Sequence, residues 1–163
     1  MKTLKNRMVN KLALVALLFA LALPLAPKVY ASGPFATSYS NASLTGVYGY
    51  SLDGWVLGPS SPNSNTTNVP LDVAGGVMWF DGNGTFEFHD TPNLGGSVSH
   101  RGTADNPVVG SYTVNPDGTG TMQWVGGGGG AHIRAFTIVD GGREIQFGEA
   151  DSLGTHRGVA KKQ

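Results

Sequence analysis

The sequence contains no cysteine, and only 13% of its residues are charged. The lack of cysteine excludes disulfides, thiolate metal sites, cysteine nucleophiles and a lipid attached through a cysteine. Beyond residue 31 the chain also lacks a basic cluster and any helical periodicity of its apolar residues. A chain without a basic cluster binds nucleic acid poorly, so we expect no nucleic-acid partner.

Residues 1–31 have the pattern of an export signal. A basic start is followed by an apolar run over Leu12–Leu25, and Ala31 supplies a small residue at the expected cleavage point. The run is short for a membrane span, so we expect a cleaved signal peptide, no membrane anchor and a periplasmic or extracellular location. These residues hold five bases and no acid, which leaves the rest of the chain with a formal charge of −5.

The remaining 132 residues suit one domain with one hydrophobic core. Twenty-five glycines without a collagen period, together with few charges, favour an all-β chain with many tight turns. We divide this part of the chain into a flexible polar segment over 32–43 and a β-domain over 44–163.

The segment 132–151 has the clearest hairpin pattern. Two runs of β-branched and aromatic residues flank Gly141-Gly142, which is a two-residue turn signal. Counting outward from this turn places four pairs on one face: Ile138 with Ile145, Phe136 with Phe147, Arg134 with Glu149, and His132 with Asp151. This face is apolar near the turn and charged at its far end, as in a barrel wall with an ion pair at its mouth.

Two further hairpins have the same design. The turns 82–84 and 115–118 predict these inward pairs: Phe80 with Phe86, Met78 with Phe88, Gly76 with Asp90, Val114 with Gly120, Tyr112 with Met122, and Gly110 with Trp124. We predict a first strand over Leu44–Leu57 and a last strand over Thr155–Lys162. We also predict a polar strand at an edge or rim over Ser97–Ala104. Eight or nine strands in consecutive hairpins predict a single antiparallel meander closed into a barrel, although a two-sheet sandwich would use the same face pattern.

Several segments resemble a family of small exported bacterial proteins. They are LTGVYGYSLDG (44–54), GGVMWFDGNGTF (75–86), VVGSYTVNPDGTGTM (108–122), FTIVDGGREIQF (136–147) and GVAKKQ (158–163). The family is marked by the patterns GTYTVN-x-D-x-TGT and VDGGKEIQF, and its members often carry cysteine where this chain has Gly118, a turn position. The resemblance implies a calycin-like barrel similar to those of allene oxide cyclase and dirigent proteins. No catalytic motif of either protein can be placed on this sequence, so the chemistry stays open.

The Arg134–Glu149 pair is the main candidate for a site. In a functional interpretation, Arg134 binds a carboxylate or enolate oxygen and Glu149 acts as a general base. In a structural interpretation, the two residues form a cross-strand salt bridge at a wet rim. His132 with Asp151 is either a proton-transfer pair or a solvated strand end. The candidate catalytic residues are Glu149, Arg134 and His132.

Inward-facing aromatic residues and two charged ones are candidates for ligand contacts, although core packing would explain most of them equally well. They are Tyr48, Tyr50, Phe88, Asp90, Tyr112, Trp124, Arg134, Phe136 and Phe147. The four histidines, His89, His100, His132 and His156, fall on separate strands without ligand spacing, so we expect no metal site and no cofactor.

Three functions agree with this pattern. The first is an exported barrel that binds, in its lumen, a small and mostly apolar molecule with one polar or anionic group. The second is a cofactor-free cyclase or isomerase that uses Glu149 and Arg134. The third is a filled barrel that serves as a structural or surface-interaction module. Whether the chain forms a homo-oligomer stays open.

Overall fold

The protein folds as a closed antiparallel β-barrel. A computed structural model describes residues 38–58, 68–126 and 129–163. Ten strands follow one another through these ranges: β1 Thr45–Val56, β2 Val69–Asp81, β3 Thr85–Asp90, β4 Asn93–Leu94, β5 Ser97–Val98, β6 Val108–Val114, β7 Thr119–Val125, β8 Ala131–Val139, β9 Glu144–Glu149 and β10 Gly154–Lys162. Short 3₁₀ turns lie at Asn41–Ser43 and Asp140–Gly142.

Eight of the ten strands form the wall of the barrel. Their order is β1-β10-β9-β8-β7-β6-β3-β2, and β1 also pairs with β2, which closes the ring. Along the chain, strands β4 and β5 lie between β3 and β6. They form a small hairpin that pairs with β2. The predicted antiparallel meander barrel is confirmed, and the sandwich is excluded because the sheet closes on itself.

The hairpin registers counted from the turns are also confirmed. Ladder pairs include Ile138 with Ile145, Phe136 with Phe147, Arg134 with Glu149, Phe80 with Phe86, Met78 with Phe88, Gly76 with Asp90, Tyr112 with Met122 and Gly110 with Trp124. The predicted strand Ser97–Ala104 is wrong over most of its length, because only Ser97–Val98 pairs as a strand. Gly102, with a φ of 68°, interrupts the extended backbone there and leaves only isolated bridges at Arg101 and Thr103.

Aromatic side chains fill the middle of the barrel. The Phe80 ring is central: its centroid lies 5.1 Å from the ring centroid of Tyr112, 5.3 Å from that of Tyr48 and 5.8 Å from that of Phe86. Glycines on the inner face make room for these rings, since a Cβ added to Gly110, Gly120 or Gly158 would overlap the ring of Phe86, Phe136 or Phe147 respectively. The lumen is therefore a packed core, as expected for an eight-stranded barrel.

One end of the barrel, which we call the turn end, is covered by residues 39–44. The Tyr39 amide donates to the Pro116 carbonyl at 3.1 Å, and Leu44 is fully buried. The Tyr112 hydroxyl lies 2.9 and 3.1 Å from the carbonyl oxygens of Asn41 and Leu44. The last residues of the predicted flexible segment are thus packed, whereas the predicted signal peptide lies outside the described residues.

Replacing Tyr112 by phenylalanine should lower the free energy of unfolding by about 0.5–1.5 kcal/mol, because the hydrogen bond to residues 41–44 is lost while the ring stays. Urea denaturation of the variant measures this. Ser111→Ala, on the exposed side of the same strand, is the matched control and should stay within about 0.5 kcal/mol of the parent. Equal stability of the two variants would contradict a role for Tyr112 in covering the turn end.

The opposite end, which we call the loop end, collects the buried charged side chains. It is formed where β1, β3, β7 and β9 end and where β2, β6, β8 and β10 begin. Within the described ranges, none of the helical segments has the length and apolar character needed to cross a bilayer.

Candidate functional site

The cross-strand pair Arg134–Glu149 lies inside the barrel. Its side chains are 3% and 2% exposed, and Arg134 Nε is 3.6 Å from Glu149 Oε2. The guanidinium lies between two rings, with its carbon 4.8 Å from the Trp124 centroid and 5.3 Å from that of Phe147. Burial lowers the pKa of Arg134, and the charge of Glu149 opposes this shift. The interpretation of the pair as a solvated rim salt bridge is therefore wrong.

His156 joins this pair from β10. Its Nδ1 lies 2.6 Å from Glu149 Oε2, and its side chain is only 6% exposed. Pairing of Arg157 with Gly148 sets the register that places His156 beside Glu149. Alternation along the last strand could have suggested this neighbour, but no tight turn connects β9 to β10, so the sequence does not fix the register.

Asp90 holds a second buried group of polar side chains. Its carboxylate accepts hydrogen bonds from Arg101 Nε at 2.8 Å, from Arg101 Nη2 and from the Tyr50 hydroxyl. Burial disfavours the charged form of Arg101, but hydrogen bonds and charge from Asp90 outweigh it and raise the pKa of Arg101. Burial, reinforced by the Asp90 charge, raises the pKa of Tyr50, which therefore stays a hydrogen-bond donor. The sequence does not predict Arg101 at this site, because it lies in an irregular segment without periodicity.

Three buried polar atoms at the loop end have no hydrogen-bond partner within the described ranges. They are Arg134 Nε, Glu149 Oε1 and His156 Nε2. Leaving such an atom unpaired costs about 1–3 kcal/mol, and more for a charged group. The Arg134–Glu149–His156 cluster therefore retains hydrogen-bonding capacity for another molecule, whereas the carboxylate of Asp90 is already well paired.

The predicted pair of His132 with Asp151 is wrong as a ladder pair, because the ladder ends at Arg134–Glu149. The Asp151 carboxylate instead accepts hydrogen bonds from the amides of Ile133 at 2.8 Å and Leu153 at 2.7 Å. His132 stacks on Trp124, with centroids 5.1 Å apart and an interplanar angle of 12°. Burial lowers the pKa of His132, which favours the neutral imidazole.

The structure places the candidate residues at three levels of the barrel. Those at the loop end are Tyr50, Phe88, Asp90, Trp124, His132, Arg134, Phe147 and Glu149. Tyr48 and Tyr112 instead lie at the turn end, where the Tyr48 hydroxyl donates to the Gly142 carbonyl and that of Tyr112 faces residues 41–44. Phe136 packs over Gly120 in the filled middle. A loop-end site therefore excludes these three.

Four hollows on the described surface lie outside the lumen, and none of the four is lined by Arg134. One of about 480 Å³ covers the outer faces of β1, β8, β9 and β10. Another, of about 500 Å³, approaches the cluster from outside; it is lined by Asp53, Gly54, Trp55, Glu149, Gly154, Thr155, His156 and Arg157. At its floor Gly154 lies against the His156 ring, since a Cβ added to Gly154 would be 2.5 Å from Cε1 and 2.7 Å from Nε2.

Comparison with known proteins does not add a homologue. No family model, curated protein or solved structure matches the chain. Functional inference therefore depends on the geometry of the loop end.

Proposed function

We propose that the protein is an exported barrel that binds a small, mostly apolar molecule with one polar or anionic group at its loop end. The observation that carries this proposal is the convergence of three buried atoms, in Arg134, Glu149 and His156, that have no hydrogen-bond partner among the described residues. An anionic oxygen of the ligand accepts a hydrogen bond from Arg134, and a ligand hydroxyl satisfies Glu149 Oε1 or His156 Nε2.

The rings beside Arg134 suit the apolar part of such a molecule. Trp124 and Phe147 lie on either side of the guanidinium and are themselves buried. Sites for small molecules combine aromatic walls with a few placed polar groups. Because the middle of the barrel is filled by rings, the ligand lies at the loop end and not deep in the lumen. The basic and apolar pattern of residues 1–31 supports export.

Two fluorescent probes test the proposal: anilinonaphthalene sulfonate and the uncharged N-phenyl-1-naphthylamine, which lacks only the sulfonate. The parent protein should bind both probes. Arg134→Met should weaken sulfonate binding roughly 10- to 100-fold, which is the range of a hydrogen bond to a charged group, and leave the uncharged probe nearly unaffected. Glu149→Gln removes the anion that competes for Arg134 and should retain or strengthen sulfonate binding.

Arg143→Met is the matched control, because Arg143 forms an exposed ion pair with Asp140 at the turn end. Its probe binding should equal that of the parent. If Arg143→Met and Arg134→Met weaken sulfonate binding equally, or if the parent binds neither probe, the proposed site is wrong. Mass spectrometry of the natively purified protein then identifies the physiological molecule.

A second candidate function is a cofactor-free cyclase or isomerase. It is favoured by the contact of His156 Nδ1 with Glu149, which orients the imidazole and leaves Nε2 free to accept a proton, with Arg134 placed to stabilise a developing oxyanion. In this case Glu149→Gln abolishes conversion of the co-purified molecule while its binding persists. A filled structural module, favoured by the packed lumen, predicts instead that no molecule co-purifies.

A further inference from the structure

A second cluster of donor atoms lies beside the buried ion pair, at the start of β8 and just beyond the end of β9. One ligand-type atom from each of His132, Glu149 and Asp151 lies within 4.8 Å of the other two. His132 and Asp151 are partly exposed, whereas the Glu149 side chain is only 2% exposed. Counting outward from Gly141-Gly142 already places these three residues on one face of the hairpin, but the histidines lack ligand spacing along the chain, so the sequence predicts no metal site there.

We infer that His132, Glu149 and Asp151 form a binding site for one divalent first-row transition-metal ion of the zinc type. An imidazole nitrogen with two carboxylate oxygens is a donor set that suits such an ion, and it leaves a fourth position for water or an anion. Ligand atoms of a tetrahedral zinc site lie about 3.4 Å apart, so the three side chains close in by up to roughly 1.4 Å on binding.

The unpaired oxygen of Glu149 points independently to a missing ligand. The Glu149 side chain is 2% exposed, and its Oε2 contacts His156 and Arg134. Its Oε1 has no partner within the described ranges. A bound cation would satisfy this atom without displacing either existing contact.

Each of the three ligands is already held by a neighbour. The Trp124 ring stacks on His132, two backbone amides hold Asp151, and His156 orients the Glu149 carboxylate. Contacts of this kind fix ligand orientation in metal sites.

The local charges are compatible with a cation. Glu149 and Asp151 supply two negative charges, whereas Arg134 supplies one positive charge close to Glu149. The charge of Arg101, which also lies at this end, is neutralised by Asp90, and Arg157 pairs with Asp53 on the outer face. The metal site and the proposed ligand site share Glu149, because either a cation or a ligand hydroxyl would satisfy its Oε1.

Isothermal titration of Zn²⁺ into chelator-treated protein without a polyhistidine tag tests the inference. We expect one Zn²⁺ per chain, at least tenfold weaker binding in His132→Ala and in Asp151→Asn, and a Zn²⁺-dependent rise in Tm only in the parent and the control. His100→Ala is the matched control, because His100 is an exposed imidazole in the loop after β5.

Absence of Zn²⁺ binding by the parent overturns the site, and so does equal binding by His132→Ala and His100→Ala. Circular dichroism establishes that His132→Ala is folded, and the visible spectrum of bound Co²⁺ reports the ligand set in each folded variant. The probe experiment with Arg134→Met is done on metal-free protein. Failure of the metal site is therefore distinguishable from failure of the proposed function.

Discussion

Replacing Asp90 by alanine is expected to lower the free energy of unfolding by about 3 kcal/mol, near the low end of the range for breaking a buried ion pair. The Asp90 side chain is fully buried, while that of Arg101 is 29% exposed. Its removal leaves the Arg101 guanidinium without its counter-charge and the buried Tyr50 hydroxyl without an acceptor. Because Arg101 can reach solvent, the loss of stability stays below the upper end of the range for breaking a buried ion pair. Urea denaturation measures the change.

Asp53→Ala is the matched control for this prediction. Asp53 pairs with Arg157 at 3.5 Å on the outer face, where the side chains are 65% and 85% exposed. Such a pair contributes at most about 1 kcal/mol, so the control should change stability little. The double variant Asp90→Ala with Arg101→Met should recover part of the loss, because the uncompensated charge is gone. Similar losses of stability in Asp90→Ala and Asp53→Ala would show that burial of Asp90 does not matter.

Replacing Gly120 by alanine is expected to destabilise the protein by about 1–3 kcal/mol through overpacking. A Cβ at this position would overlap both the ring of Phe136 and the backbone carbonyl oxygen of Thr113. The ring can rotate only within a core that other rings already fill, and the carbonyl belongs to the neighbouring strand. The loss should appear as a lower urea midpoint with an unchanged slope.

Gly75→Ala is the control for overpacking, since a Cβ at that exposed strand position meets nothing within 4 Å. It should be neutral or stabilising by up to about 1 kcal/mol, because alanine restricts the unfolded chain. In the Gly120→Ala background, Phe136→Leu removes the end of the ring and should be less costly than in the parent. If Gly120→Ala is as stable as Gly75→Ala, the barrel contains free space beside Phe136 and the lumen is not filled.

The barrel could be predicted from the sequence because two local signals agreed. Turn residues such as Gly141-Gly142 fixed the registers, and alternation along the flanking strands then determined which side chains faced inward. Asp90 could be placed on the inner face by the same counting, since it lies opposite Gly76 in the hairpin of β2 and β3. The pattern of inward-facing groups therefore follows from the sequence alone.

The contents of the loop end could not be predicted in the same way. Arg101 reaches Asp90 from an irregular segment, where no period relates sequence position to direction. His156 reaches Glu149 across β9 and β10, whose register no tight turn fixes. The sequence also could not show that the Arg134–Glu149 pair is buried, because that depends on how far the neighbouring rings extend. Long-range packing, and not local pattern, determines the site.

The pairing of β1 with β10 has a consequence for the order of folding. Nearly the whole described chain separates these two strands, so the ring cannot close until the last strand is available. Until then β1 and β9 each present an unpaired edge, and unpaired edges are templates for intermolecular β-pairing and aggregation. Docking of β10 removes both edges in one step, without any covalent crosslink. The incomplete chain is therefore the species most at risk of aggregation, and the finished barrel the least.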